Sequence, residues 1–185
     1  MLSTPRRGPY KTLMTWKYHK QYRLPEFDYS SNNIYYITVC TKNQKHSFGE
    51  IIGEKMLYSE IGLKLIDLLK DLSENTDYLK LHDFVVMPNH IHFLAEIFIE
   101  GNDFKIPEKG LHPLVPKSIS SVTNHLKGNL KRWCNENSLT DFEWQARFRD
   151  RIVRNYEEFQ QTKKYIENNI STWNCDPENE AVHRH

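Results

Sequence analysis

The sequence predicts an α+β fold, one antiparallel sheet with helices packed on one face. Two observations carry this. β-Branched and aromatic runs alternate with amphipathic helical stretches in the order strand, helix, strand, strand, helix, strand, helix. Between the second and third strands, Pro88-Asn89 supplies turn chemistry, which folds those neighbours into a hairpin.

Residues 1–31 form a basic, aromatic extension without clear periodicity, in which Trp16, Tyr18, Tyr22 and Tyr29 stand among cations. Ile34 to Cys40 is a β-branched and aromatic strand. Tyr58 or Ser59 opens a helix whose Ile61, Leu65, Leu68, Leu69 and Leu72 follow a 3.6-residue period. Leu79 to Val86 and His90 to Ile99 are the hairpin strands, and the Pro- and Gly-containing stretch from Glu100 to Pro116 is a loop. Ser118 caps a helix with Ile119, Val122, Leu126, Leu130 and Trp133 along one side. Phe142 to Val153 is a further strand or extended segment, and Asn155 with Glu158 resembles a capping box starting a helix that runs to about Asn169.

The 185 residues are most simply one domain with a sizeable core. Cys40, Cys134 and Cys175 lack metal-ligand spacing and read as free thiols of a reducing cytosol. No apolar run approaches a membrane span and no signal peptide is evident, so the expected location is cytoplasmic. A net charge of +1 hides segregation. Arg6, Arg7, Lys17 and Arg23 lie in an N-terminal stretch without acids, and Lys127, Lys131, Arg147, Arg149, Arg151 and Arg154 form a second basic zone. Such segregation suits a polyanion, and its mixing with aromatics suits single-stranded nucleic acid.

The chemistry concentrates in Val85-Val86-Met87-Pro88-Asn89-His90-Ile91-His92-Phe93-Leu94. Strand side chains alternate, so His90 and His92 share one face while Ile91 and Phe93 enter the opposite layer. Two neutral imidazoles one strand-step apart can each give a nitrogen to one divalent cation. The competing reading is a pair of hydrogen-bonded strand histidines. Asn89 reads as a turn residue and His82 as an ordinary strand histidine.

The string MPNHIHFL resembles the His-hydrophobe-His motif of IS200/IS605-type single-tyrosine transposases and their REP-associated relatives. RLPEFDYS, YYITVCTKNQKHSFGEI, WQARFRDRIVRN and KKYIENN resemble further blocks of that family, in order, over roughly residues 23–176. The resemblance implies a ferredoxin-like (RRM-like) sheet, a catalytic domain over 32–176 and a tail over 177–185. It places the nucleophile at Tyr165 and a third metal ligand at Asn169, one helical turn on, beside His90 and His92. Ile170 stands where the family usually has proline, and Trp173 with Asp176 fits a Trp-x-x-Asp pattern of one branch. The implied activity is cleavage and joining of single-stranded or hairpin DNA through a 5′-phosphotyrosine, with Mg2+ or, in its place, Mn2+. Tyr156 on the same helix is the competing nucleophile, without an amide four residues on. A homodimer exchanging its tyrosine helix and a monomer are both compatible with the resemblance. A non-catalytic nucleic-acid-binding module and a water-using phosphohydrolase are the alternatives.

Overall fold

The computed structural model describes residues 33–98 and 116–179. Its elements are β1 (Asn33–Cys40), β2 (Gly49–Ile52), β3 (Lys55–Tyr58), α1 (Glu60–Glu74), β4 (Leu79–Val86), β5 (His90–Ile97), α2 (Ile119–Glu136), β6 (Arg149–Val153) and α3 (Tyr156–Asn168). The order β4-β5-β1-β6, antiparallel throughout, is the ferredoxin-like arrangement expected from the sequence. Arg6, Arg7, Lys17 and Arg23 lie outside the described residues, as do the N-terminal extension and most of the 100–116 loop. Among the described residues no helix is long and apolar enough to cross a membrane.

Each helix begins where a short polar side chain satisfies a free backbone N–H. Ser59 Oγ accepts from Gly62 N (3.1 Å), Ser118 Oγ from Ser121 N (3.2 Å) and Asn155 Oδ1 from Glu158 N (2.9 Å). The capping-box residue Glu158 reaches back to Arg154 N at 2.8 Å. The helix expected to run to about Asn169 ends at Asn168, and Ile170 packs its side chain into an apolar cluster rather than stopping the helix sterically.

Strand alternation divides the core in two. On one face Tyr35, Ile37 and Val39 of β1 and Ile91, Phe93, Ala95 and Ile97 of β5 pack against Leu65 and Leu69 of α1 and Ile119, Val122, Leu126 and Leu130 of α2. The helices expected on one face are therefore α1 and α2. The third helix lies over the other face, where Ile166 joins Val85, Met87, Leu94, Val153 and Trp173. Phe142 to Arg147, expected as strand or extended chain, contributes one isolated bridge, Thr41 to Trp144, before β6 begins.

The sequence predicts no strand between Cys40 and Tyr58, where β2 and β3 lie. They form a two-stranded hairpin turning at Gly53, whose φ of +65° suits glycine. The hairpin leads into α1, which sits so close to the preceding chain that a Cβ on Gly62 would lie 2.1 Å from the Phe48 carbonyl oxygen. Gly62→Ala is therefore expected to cost about 1–3 kcal/mol in urea denaturation. Gly128→Ala, in the middle of α2 with nothing within 4 Å of an added Cβ, is expected to stabilise by roughly 0.5–1 kcal/mol.

Candidate active site

The antiparallel register places His92 opposite Thr38 and His90 opposite Cys40, with Arg149 and Arg151 of β6 beside Thr38 and Tyr36. Directly paired residues share a face, so these side chains converge under α3. His90 and His92 are buried at 0% and 3% exposure, and their Nε2 atoms lie 3.0 Å apart. Their Nδ1 atoms face outward: His90 Nδ1 meets Asn89 Oδ1 at 2.8 Å, and His92 Nδ1 meets Tyr36 Oη at 2.8 Å and Thr38 Oγ1 at 2.9 Å.

Tyr165 stands over this pair within the same chain. Its ring centroid is 5.5 Å from that of His92 and 6.3 Å from that of Tyr36. Its hydroxyl donates to Asp176 Oδ2 at 3.3 Å, and Asn169 Nδ2 donates to the same oxygen at 3.1 Å. Tyr156 is 76% exposed in the first turn of α3 and stacks on Phe159. Nine residues of helix, roughly 13 Å of axial rise, separate it from Tyr165.

Asp176 carries no assigned role in the sequence reading. It arrives because the chain leaves α3 at Asn168 and passes through a short 3-10 turn at Trp173–Cys175, with Trp173 tilted beside His90 (ring centroids 6.1 Å apart). Asp176 Oδ2 is then 4.0 Å from His90 Nε2. Glu178 and Asn179, in the stretch read from sequence as a tail, are buried here as well. Glu178 is held by the Arg149 guanidinium and by Gln44 Nε2 (3.1 Å), and its backbone N–H donates to Asp176 Oδ1 (2.7 Å). The Trp-x-x-Asp spacing was the available signal for Asp176.

The electrostatics follow from this burial. Burial, then the neighbouring imidazole and Arg149, hold His90 well below the usual histidine value. Burial likewise takes His92 down to about 3, against the pull of Glu178. Both rings are thus neutral at pH 7. Burial, then Asp176, raises the Tyr165 phenol above its ordinary value, so the resting hydroxyl keeps its proton. Burial raises the Asp176 carboxyl, while for Glu178 the Arg149 and Gln44 contacts outweigh burial and lower it.

These donors suit a cation. Candidate ligand atoms of His90, His92 and Asp176 all lie within 4.8 Å of one another. Asn169 adds an independent sign: its Oδ1 is buried without a hydrogen-bond partner. Because a carboxylate only accepts, Asn169 must turn Nδ2 toward it, which leaves Oδ1 as the orphan. Two neutral imidazoles, a carboxylate and an amide oxygen are a donor set for a divalent ion.

The basic residues divide. Lys127 Nζ donates to the Gln145 carbonyl (2.7 Å) and Lys131 Nζ to those of Phe142 (2.6 Å) and Thr140 (3.1 Å), bracing the chain before β6. Arg149 engages Glu178, and Arg151 pairs with Glu158 and lies over the Tyr36 ring. Arg147 and Arg154 are exposed. His82 bonds to Glu96 at 2.9 Å, away from the pair.

No family model matches the chain. An uncharacterized protein of Haemophilus influenzae is 27% identical, across 88% of this chain and 97% of its own length. The solved structure of a REP-associated tyrosine transposase bound to a REP hairpin covers 84% of this chain and 74% of its own, at 19% identity and a TM-score of 0.56. The chain has a tyrosine transposase fold. The resemblance read from MPNHIHFL and the later blocks thus has a counterpart in three dimensions, and this transposase-like fold sets the imidazoles beneath the final helix.

Burial of neutral imidazoles has a measurable cost. Both folded pKa values lie below the unfolded value of 6.5, so the unfolded chain binds up to two more protons as pH falls from 6.5 toward 3. Stability of the metal-free protein is expected to fall as pH drops from 6 to 5, by roughly 2 kcal/mol from this pair. Urea denaturation at successive pH values measures it, and His92→Gln is expected to remove about half the slope.

Proposed function

We propose that the protein is a metal-assisted single-stranded DNA endonuclease and strand transferase in which Tyr165 is the nucleophile. The observation that carries this reading is the phenol of α3 set over the buried imidazole pair inside one chain. The known transposase of like fold is bound to a REP hairpin, which supports single-stranded or hairpin DNA as the substrate class.

In this reading Tyr165 Oη attacks the scissile phosphorus in line, and its proton passes to Asp176 Oδ2, the oxygen it already faces. The Oη–P bond forms as the P–O3′ bond breaks, leaving a 5′-phosphotyrosine and a 3′-oxygen that takes up a proton from solvent. Attack on the phosphotyrosine by a 3′-hydroxyl reverses the step and joins strands, and Tyr165 regains its proton. The phosphodiester is conserved in the covalent link, so no external energy source is required. His90, His92 and Asn169, with Asp176 alongside, would hold a divalent ion, which would supply Lewis acidity to the scissile phosphate. Magnesium is the proposed ion, with manganese able to replace it. Arg147 and Arg154, with Arg6, Arg7, Lys17 and Arg23 of the extension, are proposed to neutralise the DNA backbone. Arg149, Arg151, Lys127 and Lys131 are proposed to join them where their internal partners allow.

The binding-module alternative is disfavoured by burial. A sheet that reads single strands by stacking needs exposed aromatics, whereas α3 covers this face and His90 is fully buried.

With divalent metal and a hairpin-bearing single strand, the protein is expected to yield a covalent protein–DNA adduct on denaturing gels. Tyr165→Phe is expected to abolish the adduct and Tyr156→Phe to retain it. The reverse pattern would overturn the assignment, and turnover surviving Tyr165→Phe would favour a water nucleophile. Chelator is expected to stop the reaction. Because imidazole donors bind manganese more tightly than magnesium, manganese is expected to restore activity at lower concentration.

A further inference from the structure

Turn chemistry alone would explain Asn89, which precedes His90 between β4 and β5. Its surroundings require more. The side chain is 0% exposed, and each of its polar atoms is engaged. Nδ2 donates to Gln44 Oε1 and to the Glu178 carbonyl, both at 2.8 Å, and Oδ1 faces His90 Nδ1 at 2.8 Å. Two acceptors on one side of the amide fix which end is nitrogen. Oδ1 therefore accepts, and His90 Nδ1 must carry the ring hydrogen. A neutral imidazole has one N–H, so His90 Nε2 is left with its lone pair, aimed at His92 Nε2 3.0 Å away.

We propose that Asn89 is a positioning residue for the divalent cation, locking the tautomer and rotation of His90 so that Nε2 is always presented as a ligand. The proposal rests on the metal-assisted reading above and adds a division of labour within it. His92 Nδ1 meets two hydroxyls, Tyr36 and Thr38, each able to donate or accept, so its tautomer can follow whatever occupies the site. His90 has no such freedom. Asn89 is in turn braced by Gln44 and by the Glu178 backbone, which couples the ligand to residues far away in sequence.

The main chain at Asn89 has its own anchor, since Thr41 N and Thr41 Oγ1 both donate to the Asn89 carbonyl, at 2.8 and 3.0 Å. A side-chain substitution therefore leaves the turn anchored. The test is Mn2+ binding to the full chain without DNA, followed by electron paramagnetic resonance, together with nitrogen-15 spectra of the histidine rings. Asn89→Ala is expected to weaken Mn2+ binding by about 10–100-fold, and Asn89→Asp, which keeps an oxygen acceptor, to recover part of the loss. The ring spectra of the metal-free wild type are expected to show His90 protonated on Nδ1, a readout that requires no variant to fold. Asn89→Ala binding within twofold of wild type, or wild-type His90 protonated on Nε2, would overturn this proposal alone. A wild-type chain that takes up no Mn2+ would overturn it together with the metal-assisted reading.

Discussion

The site depends on the register of one strand pair. Because β5 is antiparallel to β1 with His92 opposite Thr38, the pleat sends both imidazoles to one side and Ile91 and Phe93 to the other. A slip of one residue would exchange these sets, burying imidazoles among Leu65, Leu126 and Leu130 and putting phenylalanine beneath α3. The apolar cost of that exchange is what pins the histidines. The chemistry is thus guarded by the same burial that folds the domain.

The two faces of the sheet have separate tasks. The α1–α2 face is continuous apolar packing with the side chains of Tyr35, Phe93 and Leu69 fully buried. The α3 face mixes a small apolar cluster with polar groups, which in water-free surroundings must find partners. Nearly all do: His90 has Asn89, His92 has Tyr36 and Thr38, Glu178 has Arg149 and Gln44. The buried Asn169 Oδ1 is left without one, and a cation held by His90, His92 and Asp176 could supply it.

Much of this was legible in the chain. Alternation placed the imidazoles, caps at Ser59, Ser118 and Asn155 set the helix starts, and the family resemblance pointed to Tyr165, the phenol that lies over the histidines. What escaped has a common physical cause. Asp176 and Glu178 reach the site through an irregular turn after α3, where no periodicity reports direction, and their partners lie far off in sequence, as Glu178 and Gln44 do. Asn89 satisfied a turn preference and so concealed a second use. The β2–β3 hairpin escaped because four-residue, half-exposed strands carry too little alternation to register. The cations of β6 read as part of a basic zone suited to a polyanion, whereas Arg149 and Arg151 have acidic partners supplied by distant or following segments.

In the proposed function the Tyr165 phenol and the imidazole pair meet at one ion within a single chain. Paramagnetic broadening tests this directly. With 13C-labelled tyrosine rings and sub-stoichiometric Mn2+, at a concentration where light scattering shows monomer, Tyr165 and Tyr36 are expected to broaden strongly while Tyr156 stays sharp. Binding of Mn2+ that leaves the Tyr165 signal untouched would contradict it.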